Sequence, residues 1–130
     1  MSYMAKIIIV EDDINLANIY KEKLTKGGHS AKVVSDTDAA KEILESKPNL
    51  VLLDILMPHV SGLDVLKKVK ADPQGGQIPV LLLTNVAEDT TIAKGLELGA
   101  YGYLLKSETT PEQVLSRANM TLEETGPAKP

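Results

Sequence analysis

Leu50-Val51-Leu52-Leu53 is followed at once by Asp54 and then by Ile55-Leu56-Met57-Pro58. Four apolar residues without alternation, bounded by an acid, suit a strand covered on both faces. The pattern recurs on either side. Residues 7–10 are apolar and run into Glu11-Asp12-Asp13; residues 79–83 run into Thr84; residues 101–105 run into Lys106. Residues 31–35, Ala-Lys-Val-Val-Ser, form the least apolar of the five runs and read as an edge strand.

The stretches between the runs have helical spacing. Leu16, Ile19, Tyr20 and Leu24 make the first stripe, stopped by Gly27-Gly28. Ala39, Ala40, Ile43 and Leu44 make the second, with Pro48 beyond it. Leu63, Leu66 and Val69 make the third, closed by Asp72-Pro73 and Gly75-Gly76. Ile92, Ala93 and Leu96 make the fourth, closed by Gly99, and Val114, Leu115, Ala118 and Leu122 the fifth. The fifth opens on Thr110-Pro111-Glu112-Gln113, a capping box with proline where its missing N–H does no harm. Five strand–helix units predict a doubly wound α/β domain, with a parallel sheet and helices on both faces. Residues 1–124 read as that domain. Residues 125–130, with Gly and two Pro, read as a tail or the start of a linker.

Composition limits the function classes. A chain of 130 residues makes one domain with a core of its own. With 18 acidic and 14 basic residues, the net charge of −4 argues against direct nucleic-acid binding by this domain. Cysteine is absent, which removes thiol chemistry. No segment approaches the ~20 apolar residues of a membrane helix, and residues 7–10 are too short for a signal-peptide core. The expected setting is cytoplasmic, without membrane contact.

Ligands of such sheets bind at the carboxyl ends of the strands. Four strand ends therefore direct Glu11, Asp12, Asp13, Asp54, Thr84 and Lys106 towards one crevice. Taken singly, each has a plainer explanation: Asp13 as the N-cap of the first helix, Asp54 as a turn residue, Thr84 as a strand end, Lys106 as a solvated side chain. Their common location outweighs these. Two carboxylates about 4 Å apart repel by about 4 kcal/mol at an effective dielectric near 20. Either one stays protonated or a cation neutralises them. Hard oxygen ligands of this kind suit Mg²⁺.

The segment Asp54-Ile55-Leu56-Met57-Pro58 with Gly62 resembles the phosphoacceptor segment of response-regulator receiver domains. Ile7-Ile8-Ile9-Val10-Glu11-Asp12-Asp13 resembles their acidic first-strand end, and Gly99-Ala100-Tyr101-Gly102-Tyr103-Leu104-Leu105-Lys106 their fifth strand. The resemblance spans about residues 5–124. It implies a flavodoxin-like, CheY-like sheet of order 2-1-3-4-5. It also implies Asp54 as phosphoacceptor, with Mg²⁺ (or Mn²⁺ in its place) held by Asp12, Asp54 and the Leu56 backbone carbonyl, and by Glu11 mainly through water. Thr84 and Lys106 would engage the phosphoryl group, and Tyr103 would be the rotating aromatic of the switch. The implied partners are a sensor histidine kinase or phosphotransfer protein, and an output domain or effector. The implied signalling and homodimer surface is the fourth helix, fifth strand and fifth helix. On this reading the domain is a signalling phosphoacceptor and catalyses only its own phosphotransfer and dephosphorylation.

Two positions depart from the family pattern. Ser107 stands where proline usually follows the lysine in a cis bond, so the expectation is a trans bond with a shifted loop or a strained cis bond. Asn85 stands where a small residue is usual, and would narrow access to Asp54 or orient a water. Met57, Asn85 and Ser107 are the candidate modulators. His59 reads as an exposed loop histidine. Of the rivals, a flavodoxin-like cofactor binder would need a phosphate loop where Glu11-Asp12-Asp13 stands. A haloacid-dehalogenase-like phosphatase would need an acid two residues after the nucleophile, where Leu56 stands. The remaining alternative is a receiver-like interaction module that no longer switches.

Overall fold

Successive side chains along a strand point to opposite faces, and in β1 (Lys6–Val10) and β3 (Leu50–Asp54) both faces are covered. The computed structural model describes residues 4–85 and 89–126. Between and beyond these two strands lie α1 (Ile14–Lys26), β2 (Ser30–Val34), α2 (Ala39–Ser46), α3 (Gly62–Ala71), β4 (Val80–Thr84), α4 (Asp89–Glu97), β5 (Gly102–Leu105) and α5 (Pro111–Thr125). Short 3-10 turns, Gly75–Gln77 and Lys106–Glu108, precede β4 and follow β5. The five strands are parallel, in the order β2-β1-β3-β4-β5. The doubly wound fold expected from the sequence is present, with its order 2-1-3-4-5.

Alternation divides the core in two. Ile8, Val10, Val51, Leu53 and Leu82 face one way, against Ile43 of α2 and Val65, Leu66 and Val69 of α3. Ile7, Ile9, Leu52, Leu81 and Leu83 face the other way, against Tyr20 and Leu24 of α1 and Val114, Ala118 and Leu122 of α5. Each fully buried Leu, Ile or Val stabilises by roughly 1.5–3 kcal/mol relative to exposure, so these two layers hold the strand ends in register. β2 is an edge strand, as its composition predicts.

The helix stripes differ from expectation at three positions. Ile19 of α1 and Ala93 and Leu96 of α4 are exposed. In α1, Ala17 takes the buried place beside Tyr20. In α4, Gly95 is buried, and a methyl group there would overlap the Leu82 side chain. The helix therefore approaches the sheet through a glycine and leaves larger apolar groups outside.

Several polar ties set the connections. Asp13 caps α1, its Oδ1 accepting from the Leu16 N–H at 3.1 Å. The predicted capping box of α5 is formed: Thr110 Oγ1 accepts from the Gln113 N–H (3.1 Å) and Gln113 Oε1 from the Thr110 N–H (2.8 Å). Lys70 at the end of α3 donates to the carbonyls of Gly76 (3.2 Å) and Ile78 (2.5 Å), and burial pulls its pKa down. Buried His29 accepts from the Ala5 N–H at Nδ1 (3.1 Å), so its Nε2 carries the hydrogen directed at Asn119 Oδ1 (2.7 Å). No helix among the described residues is long and apolar enough to cross a membrane.

Candidate functional site

Register brings the strand ends together. Val10 is paired with Leu53, Asp54 with Leu83, and Thr84 with Leu105. The residues that end or follow β1, β3, β4 and β5 thus share one edge of the sheet. A cavity of about 270 Å³ opens there, lined by Glu11, Asp12, Asp13, Leu16, Asp54, Leu56, Asn85 and Lys106.

Asp54, the last residue of β3, is 1% exposed. The helix behind it starts very close: the Gly62 N–H donates to the Ile55 carbonyl at 2.8 Å, and a methyl group at Gly62 would overlap the Asp54 carbonyl oxygen. A glycine is what lets α3 begin directly beneath the acid. Ser61 caps that helix through the Leu63 N–H at 3.2 Å.

Lys106 reaches the acids from the other side. Its Nζ lies 2.8 Å from Glu11 Oε1 and 3.2 Å from Asp54 Oδ2. The second Glu11 oxygen, Oε2, accepts from the Asp13 N–H at 3.0 Å. Carboxylate oxygens of Glu11, Asp12 and Asp54 all lie within 4.8 Å of one another. Asp54 Oδ2 has no well-directed hydrogen bond; its neighbour is the Lys106 ammonium, an ion-pair contact at 3.2 Å. Burial, and then the neighbouring Asp12 and Glu11, push the Asp54 carboxyl up to about 8, with Lys106 acting weakly in the opposite sense. Asp12 moves the other way: its hydrogen bond to Asp54 holds it below the usual carboxylate range despite some burial. For Lys106, burial favours the neutral amine, but the Glu11 hydrogen bond and the charges of Asp54 and Glu11 outweigh it and raise its pKa.

These features fit a divalent cation. Three acids converge on one point, one of them is buried with an oxygen that accepts no hydrogen bond, and the single ammonium beside them leaves net negative charge. Such a donor set of hard oxygens suits Mg²⁺ or Mn²⁺ better than a softer metal.

The remaining sequence candidates fall into two groups. Asn85 and Leu56 line the cavity; Thr84 is buried at the end of β4. Tyr103 is 39% exposed and lines a separate hollow with Leu96, Leu104 and Arg117. Met57 packs against the α2–α3 side of the core and Ser107 sits in the exposed turn after β5. No peptide bond among the described residues is cis, so Lys106–Ser107 is trans, and Lys106 still reaches Asp54. The sequence motif does not include Asp36. Its Oδ2 accepts from the His59 N–H at 2.9 Å and lies 3.3 Å from His59 Nδ1, although the His59 side chain is itself 69% exposed. An acid two residues beyond the end of β2 was the available signal.

Comparison with known proteins agrees with this geometry. The family profile described as Response regulator receiver domain matches residues 7–119. The transcriptional regulatory protein CpxR of Escherichia coli K12 is 39% identical over 103 residues, 79% of this chain and 43% of CpxR. The chain spans about half the length of the curated relatives it matches. Among solved structures, chemotaxis protein CheY4 of Vibrio cholerae superposes with a TM-score of 0.85 at 25% identity, over 92% of this chain and all of that one. The BeF3-activated receiver domain of RstA from Klebsiella pneumoniae gives 0.79 at 34% identity, over 90% and 97%. With the sheet order, the acidic pocket and the lysine in agreement, this chain belongs to the response regulator receiver domain family.

Proposed function

We propose that Asp54 accepts a phosphoryl group in a Mg²⁺-dependent reaction and that the domain switches a partner-binding surface in response. The observation that carries this is the buried Asp54 carboxyl, whose Oδ2 has no hydrogen bond and is met by the Lys106 ammonium, set beside Glu11 and Asp12. Asp12, Asp54 and the Leu56 carbonyl would hold the cation. Both oxygens of Glu11 are already engaged, by Lys106 and by the Asp13 N–H, so Glu11 acts on it through water. When bound, the cation supplies positive charge that lets Asp54 ionise and offsets charge on the transferring oxygens.

The protein's own groups do the rest. A carboxylate oxygen of Asp54 attacks phosphorus, and the P–N bond of a phosphohistidine donor breaks with its electron pair going to the imidazole nitrogen. Lys106 pairs with a phosphoryl oxygen as charge builds there. The new group brings roughly −1.5 to −2 charge and three strong acceptors. Thr84 hydrogen-bonds to it and gives up space that Tyr103 fills, which alters the α4–β5–α5 face. The donor is a sensor histidine kinase or phosphotransfer protein; the recipient of the signal is an output domain, an effector or a second copy bound through that face. Residues 1–124 act as the receiver.

The approach of Lys106 to Asp54 across a trans Lys106–Ser107 bond favours this over a receiver-like module that has ceased to switch. Intact mass after treatment with acetyl phosphate tests it. A gain of one phosphoryl group that requires Mg²⁺ and disappears in Asp54→Asn is expected. Equal labelling of Asp54→Asn would overturn it.

A further inference from the structure

The connection between β3 and α3 forms part of the wall of the acidic cavity. Leu56 lines the cavity from this connection, and Met57 and Val60 pack their side chains against the core. The stretch is closed at its far end by the Gly62 N–H to Ile55 carbonyl bond. Residues 56–60 are tied to the turn after β2 by the hydrogen bond from the His59 N–H to Asp36.

Asp36 is built to hold that loop. Its side chain is 8% exposed despite its place on a surface connection. Oδ1 accepts from the Thr37 N–H at 2.9 Å, which fixes the carboxylate to its own turn after β2. Oδ2 then reaches across 23 residues of sequence to the His59 N–H at 2.9 Å, and the nearby Val60 N–H also favours the charged carboxylate. These backbone bonds hold Asp36 below the usual carboxylate range, so it stays an ionised acceptor. A charged acceptor makes a stronger tie than a neutral one.

We infer that Asp36, which does not line the acidic cavity, is a positioning residue for the site: it anchors the 56–60 loop and so sets the Leu56 backbone carbonyl towards the cation. This rests on the cation reading of the proposed function. Groups that orient a metal ligand are typically worth about 10-fold or more in metal affinity.

The test compares the parent, Asp36→Ala, Asp36→Asn and Thr110→Ala. Mg²⁺ affinity is read from backbone amide shifts, and hydrogen exchange is followed at His59 and Val60. Thr110 lies in the α5 cap, so its variant shows what general destabilisation alone does to the readout. Expected are faster exchange at His59 and Val60 in Asp36→Ala, Mg²⁺ affinity weaker by about 10-fold, partial recovery in Asp36→Asn, and parental affinity in Thr110→Ala. Parental Mg²⁺ affinity in Asp36→Ala would overturn the inference alone, whatever the exchange rates. Asp36→Asn no better than Asp36→Ala, or an equal loss in Thr110→Ala, would do the same. A parent that binds no Mg²⁺ would remove the cation reading and this inference together.

Discussion

Replacing Asp54 with Asn removes the most costly buried acid of the domain, and in cation-free buffer the variant is expected to be more stable than the parent. The magnitude comes from the site. Asp54 titrates at 3.8 in an unfolded chain and is pushed up to about 8 in the fold, by burial first and then by Asp12 and Glu11. A raised carboxyl favours the folded state most when both forms are protonated. Stability is therefore highest at acid pH and falls between about 4 and about 8, as the unfolded chain releases a proton that the folded chain keeps. For Asp54 alone the full difference corresponds to about 6 kcal/mol. The two acids share their protons, and Asp12 moves in the opposite direction, so the net effect is on the order of 3 kcal/mol. Asn has no proton to lose. Urea unfolding at pH 5, 6, 7 and 8 in EDTA, followed by circular dichroism, should show the advantage of Asp54→Asn growing with pH. Added Mg²⁺ should narrow the gap by binding the folded parent. An advantage that is the same at every pH, or a variant less stable than the parent at pH 8, would refute the electrostatic account.

Lys106→Ala loses the ammonium 2.8 Å from Glu11 and 3.2 Å from Asp54; phosphorylation by acetyl phosphate should slow by about 100-fold, and a rate within twofold of the parent would count against its role. Thr84→Ala should leave the Tyr103 ring in the same environment with and without the phosphoryl group; NMR shifts of that ring as responsive as in the parent would sink the Thr84–Tyr103 coupling. Gly62→Ala forces a methyl group against the Asp54 carbonyl, so thermal unfolding should show a loss of about 1–3 kcal/mol, and an unchanged midpoint would contradict the close approach of α3.

Much of the fold was legible because short apolar runs repeat with helical stripes between them. The runs differ from the strands by a residue or so: β4 begins at Val80, since Pro79 has no N–H to give the sheet, and β3 extends to Asp54. Thr110 and Gln113 were readable because a capping box is local. Depth was not. Ile19 and Leu96 lie in helical stripes yet face outward, because periodicity records which residues are apolar but not how close a helix comes to the sheet. That closeness depends on Gly95, which carries no apolar signal. The acids and Lys106 could be placed from the rule that strand ends share an edge. The bond from His59 to Asp36 could not, since it joins two loops whose separation in sequence follows no period. Ser107 posed a question that sequence left open between two backbone geometries, and the bond is trans.

The most direct test of the central claim is to locate the phosphoryl group. The parent is treated with acetyl phosphate and Mg²⁺, reduced with borohydride so that an acyl phosphate becomes a homoserine, and mapped by peptide mass spectrometry. Homoserine at position 54 alone, and absent when Mg²⁺ is withheld, is the predicted result. Homoserine at Asp12 or Asp13 instead, or phosphoryl incorporation with no modification at position 54, would contradict the account.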